Sequence, residues 1–300
     1  MSRCYIIGKG KLPDAVHASH KSYVKRAKIG IVIQRFATLT PSMVDELRVG
    51  DIASIIVSPD QSSTLLVHAE TCEDSVRATG QADMLIMVEG SIHAVNTLPY
   101  TIQVAMALDG PSTSGANVLV LGSQTLCASV LYCALTLMLS STIYLVRIPI
   151  ILWWPCVHIQ QLDNTPERFD QLIARLAKVV APHLLAKVVD VIEKPGTDIS
   201  IVISTLEDGF TQRTPALYTV VKSVLNAKPP GHYLDVGDQS DDDGVWVREA
   251  NDADWKVSYL GKIVDLSCPS LYQKMGHKGD GARYCQLKGG WDKDTFLDSN

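Results

Sequence analysis

The sequence predicts an α/β protein of two domains, each built on a mainly parallel sheet with helices on both faces. Two observations carry this prediction. Strand-like apolar runs alternate with stretches of helical periodicity along most of the 300 residues. The Gly/Pro/Ser-rich run Gly110–Gly115 (GPSTSG) interrupts this alternation, and a second alternating series follows it. We therefore expect one domain over residues 1–110 and a second over residues 111–275.

The first domain is predicted to contain four strands and four helices. Its strands are short apolar runs, in order Cys4–Ile7, Ile29–Gln34, Ile52–Val57 and Met84–Val88. Its helices repeat apolar residues every three or four positions, in order His17–Arg26, Pro41–Leu47, Ser63–Thr79 and Leu98–Leu108.

The second domain opens with a strand, a tight turn and a helix over Val118–Leu135, which is typical of a Rossmann-like dinucleotide-binding unit. Its predicted elements are strands Asn117–Leu121, Thr142–Val146, Lys187–Val191 and Ile199–Ser204, with helices Thr125–Leu139 and Pro166–Ala177. The pattern weakens after Gly231. We expect the acidic run Asp238–Asp243 to be a solvated loop and residues 276–300, which are polar and Gly-rich, to be a poorly ordered tail.

Composition argues against several classes of function. A net charge of −5 gives no electrostatic reason to expect nucleic acid or an anionic membrane as a partner. The apolar run Ile148–Cys156 is far shorter than the ~20 residues of a membrane helix, so we expect a soluble, cytoplasmic protein. Seven scattered cysteines without a CxxC pair, and histidines without an HExxH spacing, predict no disulfide frame and no metal.

Three segments together resemble the shikimate/quinate dehydrogenase family: Ser91–Tyr100, Val118–Leu135 and Thr165–Ala177. The resemblance extends over roughly residues 4–275. It implies an N-terminal shikimate-dehydrogenase-like substrate domain plus a C-terminal Rossmann-like NAD(P)-binding domain. It also implies NADP or NAD as the hydride carrier and a small hydroxy acid of the shikimate or quinate type in the cleft between the domains.

The catalytic pair of that family is absent on this alignment. Ser54–Gln61 (SIIVSPDQ) matches the turn that ends in the family's lysine, so Gln61 stands at the lysine position. Leu98 follows Asn96 and Thr97, where the family has its catalytic aspartate. Reducing a ketone requires a proton and a cation near the developing alkoxide, and neither glutamine nor leucine supplies them.

The resemblance also suggests substrate-binding residues. Asn96 and Thr97 are retained, while Asp83 replaces an asparagine that contacts substrate in the family. The serines that bind the substrate carboxylate are replaced, and Lys11, at the first of these positions, could attract an acid instead. The alternative for Lys11 is an exposed loop lysine with no ligand.

The predicted cofactor turn is Gly122-Ser123-Gln124-Thr125. Gly122 matches the family, and the hydroxyls of Ser123 and Thr125 could donate to a phosphate. Gln124, however, places a side chain where the backbone should approach the pyrophosphate. Packing of strand and helix without a ligand is the alternative. Arg147 or Arg168 would have to read the 2′-phosphate of NADP.

Residues 147–163 form an insertion relative to the family, between a strand and a helix that short loops usually join. It is either a genuine hydrophobic hairpin or contact surface, or a retained intron in the gene model.

The function expected from these features is that of a diverged shikimate/quinate dehydrogenase-like protein with weak or no activity. A regulatory role, like that of the fungal quinate repressor, would add a protein partner. The alternative is an active NADP- or NAD-dependent oxidoreductase in which His93, Tyr100 or Lys11 donates the proton. A third reading is an unstable gene remnant.

Overall fold

In a computed structural model, the described part of the chain contains two six-stranded sheets. The structure describes residues 2–9, 11–57, 62–109, 116–121, 125–137, 142–146, 171, 173–180, 188–190, 199–205, 215–226, 231–237 and 244–274.

The first sheet is mixed, with strand order β2-β1-β3-β5-β6-β4. Its strands are β1 (Ser2–Ile7), β2 (Ile31–Phe36), β3 (Ser54–Val57), β4 (Thr71–Cys72), β5 (Met84–Val88) and β6 (Ser91–Val95). Its helices are α1 (Lys11–Arg26), α2 (Pro41–Arg48), α3 (Ser62–Leu65), α4 (Asp74–Thr79) and α5 (Leu98–Asp109). Strand β1 pairs in parallel with β2 and β3, whereas β5 is antiparallel to both of its neighbours, β3 and β6.

The second sheet is parallel throughout, with strand order β12-β11-β10-β7-β8-β9. Its strands are β7 (Asn117–Leu121), β8 (Thr142–Val146), β9 (Val188–Asp190), β10 (Ile201–Ser204), β11 (His232–Asp235) and β12 (Lys256–Tyr259). Its helices are α6 (Thr125–Tyr132), α7 (Pro215–Leu225), α8 (Val245–Asp252) and α9 (Leu260–Lys274). Numbered along the chain within this sheet, the order is 3-2-1-4-5-6, that of the Rossmann fold.

Apolar side chains bury both faces of each sheet. One of the four clusters is continuous between the two halves, since Leu98 and Ile102 of α5 pack in it with Val118 of β7 and Val130 of α6. Helix α9 contacts α1 and α5, and its residue Tyr272 joins the core of the first sheet. The final helix therefore fastens the end of the second half to the first.

The structure confirms the two-part α/β architecture and corrects several elements. The predicted helix Ser63–Thr79 is broken by a 3₁₀ turn (Leu66–His68) and by β4, and β6 is an additional strand. The predicted helix Thr125–Leu139 changes at Cys133 into a π-helical turn. The segment after Gly231, where the sequence pattern is weak, nevertheless forms two strands and two helices, whose apolar residues join the buried clusters.

Several sequence predictions concern residues outside the described part of the chain. They are the linker Gly110–Gly115, the insertion 147–163, the loop Asp238–Asp243 and the tail 276–300. In the described ranges, none of the helices combines the length and the apolar character that crossing a bilayer requires.

Candidate functional site

A small cavity lies where helices α1, α5 and α9 meet the carboxyl end of β3. We call it the α1–α9 cavity. Its polar lining comes from His20, Asp83, Thr97, Thr101 and Ser267, and the remainder is apolar. Its volume is about 50 Å³. That is room for one or a few waters, against the ~300–1,000 Å³ typical of a ligand pocket.

Asp83 directs its carboxylate at the first turn of α5. Its oxygens accept hydrogen bonds from the backbone N–H of Thr97 (2.7 Å), the hydroxyl of Thr97 (2.8 Å) and the backbone N–H of Leu98 (3.2 Å). The carboxylate thus satisfies amides that would otherwise lack a partner at the helix start. Burial raises the pKa of Asp83 to about 6, although these hydrogen bonds oppose the shift.

Leu98 is the first residue of α5 and lines the same cavity with only 6% of its surface exposed. Its side chain belongs to the apolar cluster that joins the two halves. The position that the sequence alignment assigned to a catalytic aspartate is therefore part of the core, where leucine packs but neither accepts nor donates a proton.

His20 and Tyr272 form a buried pair across the cavity wall. The Nδ1 atom of His20 on α1 is hydrogen-bonded to the hydroxyl of Tyr272 on α9 at 3.0 Å. Burial, with a smaller effect of His17, lowers the pKa of His20 to about 4. Burial also raises the pKa of Tyr272 above its ordinary value. Both groups are consequently neutral at pH 7.

Asn96 lies in a buried polar network rather than on the cavity wall. Its Nδ2 atom donates to the hydroxyls of Thr79 (3.0 Å) and Ser129 (2.8 Å), and Ser129 donates to Oε1 of Gln81 (2.8 Å). All four side chains are at most 5% exposed. Because Ser129 is on α6 and the other three belong to the first half, the network links the two halves of the molecule.

The residues predicted to bind substrate lie in two different places. Asp83 and Thr97 come together at the cavity, whereas Asn96 points into the network. Lys11 begins α1, but its side chain and all of Gln61 are outside the described residues.

The other proton donors considered from the sequence lie elsewhere. His93 is bonded to Thr71 Oγ1 at 2.9 Å on the edge of the first sheet. Burial, followed by Glu73 and Asp74, raises the pKa of Tyr100, and its side chain does not line the α1–α9 cavity.

Sequence reasoning missed His20, and it also missed Ser267. His20 is four residues after Val16, so both fall on one face of α1, and both line the cavity. The spacing of Val16 and His20 was therefore the sequence feature from which His20 could have been predicted to share a helix face with a core residue. Ser267 is on α9, whose place beside α1 no local pattern reveals.

The end of β7 and the start of α6 are placed as in a Rossmann-type strand–helix unit. Strand β7 ends at Leu121 and α6 begins at Thr125, so the helix start lies just beyond the strand, as the Rossmann fold requires. Beside it, the Thr205 hydroxyl donates to the carbonyl of Leu121 (3.2 Å). Gly122, Ser123, Gln124 and the Thr125 side chain lie outside the described residues, as do Arg147 and Arg168.

The described side chains include no group of three or more His, Cys, Asp or Glu placed to hold a metal ion. The cysteines among them are free thiols. Burial raises the pKa of Cys127, at the start of α6, to about 12, so this thiol stays protonated at neutral pH.

Comparison with known proteins gives a fold likeness only. No protein-family model matches the chain, and no curated protein matches its sequence. Among solved structures, the dehydroquinate dehydratase and shikimate dehydrogenase AroM from S. pombe aligns with a TM-score of 0.69 and 18% identity. The alignment covers 96% of this chain and 52% of AroM, so the chain spans about half of that protein.

Two further structures align over nearly their whole length. The 5-ketofructose reductase of Gluconobacter sp. strain CHM43 has a TM-score of 0.68 and 13% identity, covering 96% of this chain and 97% of that one. The quinate dehydrogenase from Corynebacterium glutamicum in complex with NAD has a TM-score of 0.67 and 13% identity, covering 95% and 97%. The chain therefore has the two-domain fold of the shikimate and quinate dehydrogenases.

Proposed function

We propose that this chain is a diverged shikimate/quinate dehydrogenase-like protein with weak or no NAD(P)-dependent dehydrogenase activity, which recognises a small hydroxy acid in a regulatory role in the cytoplasm. The observation that carries the proposal is the apolar side chain of Leu98 in the α1–α9 cavity. A protein partner would then read out ligand binding.

The chemistry of ketone reduction supports the proposal of weak or no dehydrogenase activity. Hydride addition creates an alkoxide that must be stabilised and protonated. Among the described residues lining the cavity there is no lysine or arginine. The Asp83 carboxylate already accepts the first amides of α5, and His20 is bonded to Tyr272. Asp83 and His20 are therefore both engaged in hydrogen bonds within the protein.

A nicotinamide cofactor would bind at the second sheet. The turn 122–124 and the start of α6 would hold its pyrophosphate, with Ser123 and Thr125 as hydroxyl donors. The cofactor would supply the hydride. On this proposal the residues of the chain would still bind and orient it, but would provide no efficient proton delivery.

A paired reversion tests the loss of chemistry. We expect the double variant Gln61→Lys/Leu98→Asp to gain NADP- or NAD-linked oxidation of shikimate or quinate, with turnover at least about tenfold above the parent. The control Gln61→Met/Leu98→Asn matches the sizes of these side chains without their charges, and should gain nothing. Circular dichroism establishes that both variants fold. A parent already as active as the double variant would overturn the proposal.

Ligand recognition requires a separate measurement. Titration calorimetry with shikimate and quinate should give saturable binding to the parent protein, with or without NADP. Binding without turnover supports the regulatory reading, whereas the lack of binding by either acid would remove it.

The second candidate function is an active oxidoreductase that uses a different proton donor. The position of His20 on the cavity wall favours it, since a neutral imidazole can exchange a proton. In that case His20→Asn would abolish turnover and remove the acid limb of the pH profile. The control His17→Asn, one turn away on α1, would keep both.

A further inference from the structure

A second cavity lies outside the α1–α9 cavity, at the carboxyl ends of β1 and β2. It is lined by Gly8, Lys9, Arg35, Phe36 and Ala37, and we call it the β1–β2 cavity. The two cavities share no lining residue. The carboxyl ends of parallel strands form the edge of a sheet at which ligands usually bind, and β1 and β2 are parallel.

The size of this cavity suits a small molecule. Its volume is about 320 Å³. This value is within the ~300–1,000 Å³ range of ligand sites, and it is far larger than the α1–α9 cavity. The backbone shapes one side, because Gly8 has φ +149°, a conformation that residues with side chains rarely adopt. The N–H of Gly8 donates to the carbonyl of Phe36 at 2.9 Å, which joins the ends of the two strands.

The charge of the cavity is positive in a chain whose net charge is −5. Lys9 and Arg35 both line it. The guanidinium of Arg35 contacts the carboxylate of Asp14 and lies 3.5 Å from the carbonyl of Gly8, and these contacts orient it. Since Asp14 balances one of the two cations, a single positive charge is left for a ligand. A monoanion matches that charge.

The remaining wall is apolar and fixed. Phe36 packs edge-on against the ring of Tyr5, with centroids 4.8 Å apart. Tyr5 is itself held by a hydrogen bond from its hydroxyl to Glu46 (2.6 Å). Phe36 and Ala37 thus offer a preformed surface to a hydrocarbon body attached to the anion.

We propose that the β1–β2 cavity is a second ligand site, which binds a small organic monocarboxylate with an apolar body. The carboxylate lies against Lys9 and Arg35, and the body packs on Phe36. This proposal does not depend on the dehydrogenase-like function proposed above.

Benzoate is a suitable probe, followed by NMR of the full-length protein. We expect saturable shifts of the backbone resonances of Gly8, Lys9 and Phe36, with Leu98 unaffected. Lys9→Met should weaken binding about tenfold or more, because a hydrogen bond between charged groups is lost. The control Lys21→Met removes the same charge from an exposed position of α1 and should change the affinity little.

Acetate and inorganic phosphate separate the parts of the proposal. Both should bind more weakly than benzoate, since neither has a body to cover Phe36. Equal affinities for the three anions would overturn the role of the apolar wall. A lack of saturable shifts at Gly8 and Phe36, or an equal loss of affinity in Lys21→Met, would overturn the site itself.

Discussion

At the scale of single residues, Asp83 and His20 line one cavity, and their pKa values are shifted in opposite directions. Burial raises the pKa of Asp83 from 3.8 to about 6, and burial lowers that of His20 from 6.5 to about 4. Between roughly pH 4 and 6, folded Asp83 keeps a proton that the unfolded chain has lost. Folded His20 lacks a proton that the unfolded chain holds. The two contributions to stability therefore oppose each other over nearly the same interval.

The contribution of Asp83 is present below the unfolded pKa of 3.8 and is lost as the pH rises through about 6. The raised pKa corresponds to about 3 kcal/mol. We therefore expect the free energy of unfolding of Asp83→Asn, relative to wild type, to rise between pH 4 and 7. Urea denaturation at several pH values measures this, with the exposed Asp252→Asn as the control. Parallel curves for Asp83→Asn and wild type would refute this role of burial.

The contribution of His20 has the opposite sign. It is fully present above pH 6.5 and is lost as the pH falls through about 4, again by about 3 kcal/mol. His20→Asn, which retains a polar partner for Tyr272, should escape this loss and become more stable relative to wild type as the pH falls. The same denaturation series detects it, with the exposed Asp252→Asn again as the control. A His20→Asn curve that falls as steeply in acid as wild type would contradict the prediction.

At the scale of elements, the start of β11 depends on the close approach of two strands. A Cβ added at Gly231 would overlap the carbonyl oxygen of Ser200 and come within 2.9 Å of the Trp255 ring. This oxygen also accepts the N–H of His232 (2.9 Å), so it cannot move without breaking a bond between the strands. The glycine thus permits the pairing of β10 and β11.

We expect Gly231→Ala to lower the free energy of unfolding by about 3 kcal/mol or to prevent folding, since overpacking against backbone has no easy relief. The control Gly30→Ala has no heavy atom within 4 Å of the added methyl and should stay within about 0.5 kcal/mol of wild type. Thermal unfolding and soluble yield report the two outcomes. Equal stability of the two variants would show that the strands separate easily here.

Elements with strong local patterns were predictable from the sequence. The limits of Met84–Val88, Asn117–Leu121 and Thr142–Val146 agree with the structure to the residue. Helices α7, α8 and α9 were not predicted. The buried residues of α8, Trp246, Val247 and Ala250, do follow helical spacing, and they complete a cluster with Leu119 of a distant strand. Helix α9 contains Pro269, a residue that argues against a helix when the sequence is read alone.

The candidate site was predictable only in part. The family resemblance grouped Asp83, Thr97 and Leu98, and the structure brings these three to one cavity. It could not reveal that Asn96 turns toward Ser129, since that contact joins residues 33 positions apart. Nor could it reveal that α9 returns to α1 and presents Tyr272 to His20.

At the scale of the whole molecule, the two halves share one apolar cluster and one buried polar network. Leu98 of the first half and Val130 of the second half belong to the same apolar cluster. Unfolding of either half alone would therefore expose apolar side chains of the other half to water. We therefore expect the two halves to unfold in a single cooperative transition.

Ser129 is the point at which the polar network crosses between the halves. Ser129→Ala removes an acceptor for Asn96 and the donor to Gln81, leaving buried polar groups with fewer partners. We expect a loss of about 1–3 kcal/mol, with one calorimetric transition retained. The exposed Ser42→Ala serves as the control. An unchanged midpoint, or a split into two transitions, would contradict the idea that this network joins the halves.

The central claim is that the cleft has lost its dehydrogenase chemistry while the fold persists. The most direct test is the absorbance of reduced nicotinamide when purified wild-type protein meets shikimate or quinate with NADP or NAD. We predict no turnover above the protein-free reaction from a sample that is folded by circular dichroism. Steady, enzyme-dependent formation of the reduced cofactor would contradict the claim and would direct attention to His20 as the proton carrier.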